Sequence, residues 1–362
     1  MNRVFNFGAG PATLPLPVLE QVQQELLNFN GVGASVIEIS HRSPTFELLL
    51  NETIELFKEL VSLPDNYKVL FAHGSARMQF SAVPMNLIAR SESKTSGFID
   101  TGNWTFLAEQ DARRYGKTSI VASGQDSNFS AIPSLTEEDI PQDLSYLHIC
   151  SNNTLYGTRW TKYPKTGDVP LVVDATSDIL STVVDFSQFG VVFAGLQKNL
   201  GPSGLALTAV REDLIGHAID QTPPLLDYQT LSETNSLLNT TNTFAIYVTN
   251  LVLKWVKEQG GVPAMQKLNE AKAAKLYNYL EKTEFYKSVA KAEDRSIMNV
   301  PFVLANEELL ATFLTQAEAE GLYALKGHKK VGGVRASIYN AMPIAGVEAL
   351  LAFMKDFEEK YG

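Results

Sequence analysis

Lys198 stands in the stretch Phe193-Ala-Gly-Leu-Gln-Lys-Asn-Leu-Gly-Pro-Ser-Gly-Leu205, alone among Gln, Asn, Gly, Pro and Ser. The apolar run from Val191 to Ala194 that leads into it reads as a short buried strand ending at Gly195. A lysine at the mouth of a buried strand is held away from bulk water and loses part of its preference for the charged form. That makes the amine a better nucleophile toward aldehydes. The competing reading is a solvated loop lysine. Asp174 weighs between the two: it ends a second apolar run, in Pro170-Leu-Val-Val-Asp-Ala-Thr-Ser-Asp178, and lies 24 residues (198 − 174) before Lys198. That gap suits a strand, a short connection and the next strand of one parallel sheet. Both side chains then emerge at the carboxyl ends of the strands, where open α/β sheets bind ligands. An amine and a carboxylate presented together there fit pyridoxal phosphate. The lysine forms a Schiff base, and the carboxylate keeps the pyridine nitrogen protonated so that the ring can take up electrons.

The elements that must position this pair follow from the rest of the chain. Its 362 residues, 45% hydrophobic and 19% charged, are enough to bury a large core and predict two domains. A net charge of −10 argues against nucleic acid or an anionic membrane as a partner. No apolar run approaches the roughly 18 residues of a membrane span, and Met1-Asn-Arg-Val-Phe5 lacks the apolar core of a signal peptide. The single Cys150 allows no internal disulfide, so the expected compartment is the cytoplasm. The five histidines and Cys150 show no metal-ligand spacing.

In chain order, Asn6-Phe-Gly-Ala-Gly-Pro-Ala-Thr-Leu-Pro15 is an arm punctuated by glycine and proline. Its Gly8-Ala-Gly10 is not a dinucleotide fingerprint, because no strand precedes it and Pro11 follows. A helix is expected over 17–28. Ser43-Pro44 reads as a cap and first turn, followed by Phe46, Leu49, Leu50, Thr53, Ile54, Phe57 and Leu60 at helical spacing. His41 and Arg42 before it are either a solvated cap or an anion site. Lys68 to Ala72 reads as a strand, and His73-Gly-Ser-Ala-Arg77 opens a helix running to Ile88. A strand, a small-residue turn and a helix N-terminus make a cradle for phosphate, though an ordinary βα turn looks the same from sequence. Short strands are expected at 97–100, 117–121, 146–150 and 204–210, with a helix opening near Trp104, which either stacks on a planar cofactor or simply packs. Tyr146 to Cys150 ends in Ser151-Asn-Asn-Thr154, a polar cluster at the same edge. The alternation through residue 210 predicts an α/β domain with a largely parallel sheet. Residues 227–244 read as a long polar loop, and loops of that length usually carry a function or a partner contact. Helices follow at 245–257 and 262–280, then a C-terminal region of helices and short strands.

Four stretches carry a resemblance. Asn6-Phe-Gly-Ala-Gly-Pro11, Glu38-Ile-Ser-His-Arg-Ser43, Gln197-Lys-Asn-Leu-Gly-Pro202 and Gly332-Gly-Val-Arg-Ala-Ser-Ile-Tyr-Asn-Ala-Met-Pro343 resemble the phosphoserine aminotransferase family, in order and almost end to end. The resemblance implies a class V, fold-type I enzyme dependent on pyridoxal 5'-phosphate and acting as a homodimer. It implies a large domain (16–260) with a mainly parallel seven-stranded sheet flanked by helices. A smaller α+β domain would combine 1–15 with 261–362. The implied reaction interconverts O-phospho-L-serine plus 2-oxoglutarate with 3-phosphohydroxypyruvate plus L-glutamate in serine biosynthesis. A phosphohydroxythreonine is the second implied substrate, in pyridoxine biosynthesis. By position, Lys198 is similar to the family's Schiff-base lysine and Asp174 to the pyridinium partner. Trp104 would stack on the ring and Thr154 would bond its phenolic side. Ala76, Arg77 and Gln197 would hold the phosphate, which Asn239 and Thr240 of the other subunit would also reach. Arg335 resembles the α-carboxylate binder, and His41, Arg42 and His328 the receptors of the distal anion. The chain departs from the family's glycine-richer Gln-Gly-Gly turn at His73-Gly-Ser75.

The residues agree with this assignment. Dianionic substrates need local positive charge on an acidic protein, and a planar guanidinium grips a carboxylate bidentately. His41-Arg42 and the Lys326-to-Lys330 stretch with Arg335 are where the chain concentrates it, unless the second is a solvated basic loop. Other chemistries on the same fold are a lyase or a desulfurase, which needs a mobile cysteine, whereas Cys150 sits at a strand end. A non-catalytic binding protein on this scaffold would have no use for Lys198 and Asp174.

Overall fold

β-Branched and apolar residues on both faces of the central strands require cover on both sides, and the chain supplies it with helices. The computed structural model describes residues 3–362. In chain order the elements are β1 (Phe5–Asn6), α1 (Leu16–Glu25), α2 (Pro44–Val61), β2 (Tyr67–His73), α3 (Ser75–Leu87), β3 (Thr95–Asp100), α4 (Asn103–Ala112) and β4 (Lys117–Ser123). Next come β5 (Tyr146–Cys150), β6 (Leu171–Asp174), β7 (Val191–Gly195), β8 (Leu205–Arg211), α5 (Tyr228–Glu233), α6 (Thr243–Glu258) and α7 (Gly261–Leu280). The chain closes with β9 (Tyr286–Ser288), β10 (Asn299–Leu304), α8 (Leu310–Ala319), β11 (Leu322–Tyr323), β12 (Val334–Ser337) and α9 (Ile344–Tyr361).

The large sheet has seven strands in the order β2-β8-β7-β6-β5-β3-β4. All of its pairs are parallel except those of β8, which runs antiparallel to β2 and β7. Alternation along each strand divides its side chains between two cores. Val191 and Phe193 of β7 join one core with Val172 of β6, while Val192 and Ala194 join the other with Leu171 and Val173. Fully burying each such side chain contributes about 1.5–3 kcal/mol. The two buried faces explain why these strands read as unbroken apolar runs.

Local signals hold where sequence and packing agree. Ser43 caps α2 by accepting a hydrogen bond from Phe46 N, and Pro44 occupies its first turn. One expectation is corrected: residues 227–244 are not all loop. Asp227 accepts from Gln229 N to cap α5, and Tyr228 and Leu231 bury against the sheet, with the Tyr228 hydroxyl donating to Gln79 Oε1. Two apolar side chains three residues apart suffice to dock one and a half turns that their polar neighbours conceal.

A further core gathers α9, α8, β10, β12 and the later turns of α7. The arm belongs to it: β1 pairs with β11 in parallel, and Phe7 is fully buried there. α7 spans two cores, with Val262 and Met265 in the one beneath the large sheet and Ala273, Leu276 and Leu280 in the C-terminal one. Phe313 sits in the middle of the latter, edge-on to Tyr286, Phe302, Phe353 and Phe357. Phe313→Ala is expected to lower unfolding stability by about 3–5 kcal/mol, as cavities of that size do. The urea midpoint of the C-terminal core's transition is the measurement, and an unchanged midpoint would show that the site collapses freely.

Candidate active site

β6 and β7 are parallel neighbours, so the residues that follow them leave the sheet at one edge. β7 ends at Gly195, and the next residues close a tight turn in which Leu200 N and Gly201 N both donate to Leu196 O. That turn carries Lys198, only 8% exposed, and aims its Nζ at Thr154 Oγ1, 2.7 Å away. The ring of Trp104, near the start of α4, lies 5.7 Å from the same nitrogen. The arm lies along the lysine's stem. Gly10 has φ +138°, and a Cβ there would come within 3.5 Å of Lys198 Cγ. Ala12 N donates to Gln197 O on the same turn. Among the described residues, Lys198 has no carboxylate within ion-pair distance.

Asp174 closes β6, and its Oδ1 accepts from Thr176 N at 3.0 Å. Burial pushes the carboxyl above the ordinary range, while hydrogen bonds from Thr176 and the charge of Lys198 pull it back. Beneath it, His148 of β5 lies against Phe80, Phe98 and Phe193, and burial lowers its pKa to about 3, so the imidazole is neutral. Ser151 donates to Asp178, one turn past Asp174, and burial raises that acid to about 7.

The cradle forms where β2 passes into α3. Gly74 (φ +83°) and Ser75 (φ +56°) are both left-handed, so the chain reverses in two residues and the first N–H groups of α3 are left without helical partners. Ser75 Oγ donates to Gln197 Oε1 at 2.6 Å. Gly195 permits this approach, because a Cβ there would lie 2.5 Å from Ser75 Oγ. Ala76 and Arg77 begin the helix, but the Arg77 guanidinium is paired with Asp111 and packed over Phe80. Arg77 therefore offers its backbone N–H to the cradle, and its charge is spent elsewhere.

Arg335 on β12 points its Nη1 toward Thr154 O, at 3.5 Å, so Arg335 and Lys198 flank one residue. It is half-buried and makes no ion pair among the described residues; burial lowers its pKa. His328 lies on the preceding loop, which Lys330 fastens to Asn103 at 2.6 Å, beside Trp104. Burial and the charges of Arg335, Lys329 and Lys330 lower the His328 pKa. Asn239 is bonded through Oδ1 to His73 Nε2 at 3.1 Å, next to the cradle, and Thr240 is exposed. His41 is buried with its Nε2 unpartnered and Arg42 is exposed. Neither bonds to any member of the Lys198 group. A 630 Å³ cavity lined by Val173, Asp178, Phe186 and Lys257 does not include Lys198.

The sequence marked Ser75 only as a departure at the turn and left Thr176 without a role, although both have a local signal. Asp174-Ala-Thr176 is an Asx-turn pattern. A serine between glycine and a helix start can donate sideways. His148 had none, since only folding brings it against three phenylalanines.

These residues fit pyridoxal phosphate. A buried amine meets a hydroxyl but no acid, a buried carboxylate lacks a cation, the Trp104 Nε1 is buried without a partner, and a turn of free N–H groups lies beside them. Residues 4–350 match the family described as aminotransferase class-V. The chain belongs to that family. Within it, the chain falls among the phosphoserine aminotransferases. It is 49% identical over 362 residues to the phosphoserine aminotransferase of Geobacillus kaustophilus (strain HTA426), with 100% of each chain covered. It superposes on the phosphoserine aminotransferase of Bacillus circulans subsp. alkalophilus with a TM-score of 0.96 at 42% identity, covering 99% of each chain. A structure recording radiation damage of the Schiff base in a phosphoserine aminotransferase matches with a TM-score of 0.96 at 42% identity, covering 99% of this chain and 100% of that one.

Proposed function

We propose that the chain is a pyridoxal-phosphate-dependent transaminase that exchanges the amino group between O-phospho-L-serine and 2-oxoglutarate in serine biosynthesis. The carrying observation is the buried Lys198 amine held between Thr154 and Trp104 at the edge that also presents Asp174. The cofactor, when bound, supplies an aldehyde for the amine and a ring that takes up the electrons left when the substrate Cα–H bond breaks. The chain's residues do the rest. Asp174 would keep the ring nitrogen protonated, Trp104 would pack on the ring, and Thr154 would donate to its phenolic oxygen. Ala76 N, Arg77 N and Gln197 bind the phosphate at the positive end of α3. The Lys198 amine would take the proton from the substrate Cα and return it as general base and acid. Arg335 grips the α-carboxylate, and His41, Arg42 and His328 receive the distal anion. The two half-reactions share one site, so ping-pong kinetics follow.

The site is completed by a second copy of the chain. Asn239 and Thr240, on the segment between α5 and α6, would reach the partner's cofactor phosphate in a homodimer. Residues 16–260 form the cofactor domain, and 1–15 with 261–362 the small one; the pairing of β1 with β11 and the burial of Phe7 in the C-terminal core support the split arm. Phosphohydroxythreonine, which keeps the α-carboxylate and phosphate of phosphoserine, is a second substrate, in pyridoxine biosynthesis. No described helix is long and apolar enough to cross a membrane. The enzyme is placed in the cytoplasm, acting on small-molecule substrates.

The test is a coupled glutamate-release assay with 2-oxoglutarate and, side by side, phosphoserine, phosphohydroxythreonine and unphosphorylated serine. Turnover of the two phosphorylated substrates and little of serine is expected, and equal turnover of serine overturns the distal-anion reading. Sedimentation of the holoenzyme as a dimer is expected; a monomer with full activity would dismiss the shared site. Arg42→Ala is expected to raise KM for phosphoserine by about ten- to a hundredfold, the worth of one or two charge-assisted hydrogen bonds. Cofactor affinity should stay within about twofold, since Arg42 reaches only the substrate. Equal losses of both would make Arg42 structural.

A further inference from the structure

Lys272, on α7, is fully buried and has no acidic partner among the described residues. Its Nζ donates to three backbone carbonyls, Ile338 O at 2.9 Å, Tyr339 O at 2.7 Å and Met342 O at 3.1 Å. These close the turn that follows β12, three residues past Arg335. Burial pushes Lys272 down to about 7, and the carbonyls work the other way, since a neutral amine has only two N–H groups to give.

The same turn reaches across to the Lys198 loop. Asn340 N donates to Asn199 Oδ1 at 3.0 Å, immediately beside Lys198, and Asn340 Nδ2 donates to Leu180 O at 3.0 Å. Asn269, one turn before Lys272 on α7, donates to Asn340 Oδ1 at 2.8 Å and to Ser181 O at 3.1 Å. The Tyr339 hydroxyl donates to Ala9 O at 2.9 Å, on the arm that lies along the Lys198 stem. An ammonium buried in this way must recoup its lost hydration from its acceptors, so it holds them closely.

We propose that Lys272 is a positioning residue that sets the register between Arg335 and Lys198, and thereby the fit of the substrate's α-carboxylate relative to the reacting amine. It touches neither substrate nor cofactor. Its ammonium pins the 338–342 turn, and that turn holds β12 on one side and, through Asn340, the Asn199 neighbour of Lys198 on the other. The inference rests on the roles given above to Lys198 and Arg335. Lys198→Ala tests the first by loss of reductive fixation of the cofactor, and Arg335→Ala tests the second by loss of α-carboxylate affinity with the cofactor still bound, so a failure there is distinguishable from a failure here.

The experiment compares the holoenzymes of Lys272→Met, Asn199→Ala and the double variant, with kinetics expressed per mole of bound cofactor. Lys272→Met is expected to raise KM for phosphoserine and for glutamate alike by about tenfold or more, to lower kcat less, and to move the pH at which the bound cofactor's visible band titrates. A lysine that only stabilises the fold would lower the melting temperature and leave these per-holoenzyme values at wild type, which overturns the proposal. Should Lys272→Met yield no folded holoenzyme, Asn199→Ala, which removes the acceptor of Asn340 N together with the Asn199 Nδ2 contacts to Ile179 O and Met298 Sδ, decides alone. It should reproduce the KM rise in both substrates, and wild-type KM values there overturn the proposal. In the double variant the effects are expected to be markedly less than additive, because both residues act through one turn; strict additivity is the opposing result.

Discussion

Lys198→Ala is expected to lower phosphoserine turnover by at least about a thousandfold, because the substitution removes the covalent attachment and the proton carrier at once. The geometry makes the loss hard to replace. The Nζ sits 2.7 Å from Thr154 Oγ1 and 5.7 Å from the Trp104 ring, in a place only 8% open to solvent. Lys330, the other lysine described near Trp104, is bonded to Asn103. The variant should still bind cofactor through the α3 cradle, but borohydride should no longer fix it to the chain. Residual activity within tenfold of wild type, or cofactor still fixed after reduction, would sink the assignment. Because the cradle is separate from the lysine, cofactor content and turnover can be scored independently, and a variant that merely misfolds would lose both.

Asp174→Asn carries the second-largest effect. The carboxylate is buried, accepts from Thr176 N and has no cation at ion-pair distance among the described residues. Such a group is costly to bury unless a positive partner arrives, and a protonated ring nitrogen is one. Asparagine keeps the shape and the Thr176 contact but cannot hold a positive charge in place. Turnover should fall by about 10²–10³, the usual consequence of removing one preorganised charge from a reacting centre. Cofactor binding should weaken less than turnover, since the phosphate cradle is untouched. A variant that keeps wild-type kcat would mean that the ring works unprotonated and that Asp174 is there for the Asx turn.

Arg77 is instructive about what a residue type conveys. As a cation beside a phosphate cradle it invites the reading of a charged ligand, yet its guanidinium pairs with Asp111 of α4 and packs over Phe80. The backbone remains available, because a helix N-terminus leaves its first N–H groups free whatever the side chains do. Ser75 teaches the reverse. A residue that breaks the family's glycine pattern keeps the left-handed turn at φ +56° and adds a hydrogen bond to Gln197.

By itself the sequence determined the parts whose causes are local. An apolar run between Pro170 and Asp174 marks β6, one between Gly190 and Gly195 marks β7, Ser43-Pro44 marks the start of α2, and the 24-residue gap between Asp174 and Lys198 implies parallel neighbours. Each follows from propensity, capping or strand period, which act over a few residues. Tertiary structure alone decided what depends on residues far apart in the chain. It turned β8 antiparallel, docked α5 through Tyr228 inside a polar stretch, laid Gly10 against the Lys198 stem and placed Lys272 over the carbonyls of 338–342. A buried ammonium is invisible in sequence because lysine is almost always solvated. Only when three carbonyls from a turn some seventy residues away converge on it does burying it become tolerable.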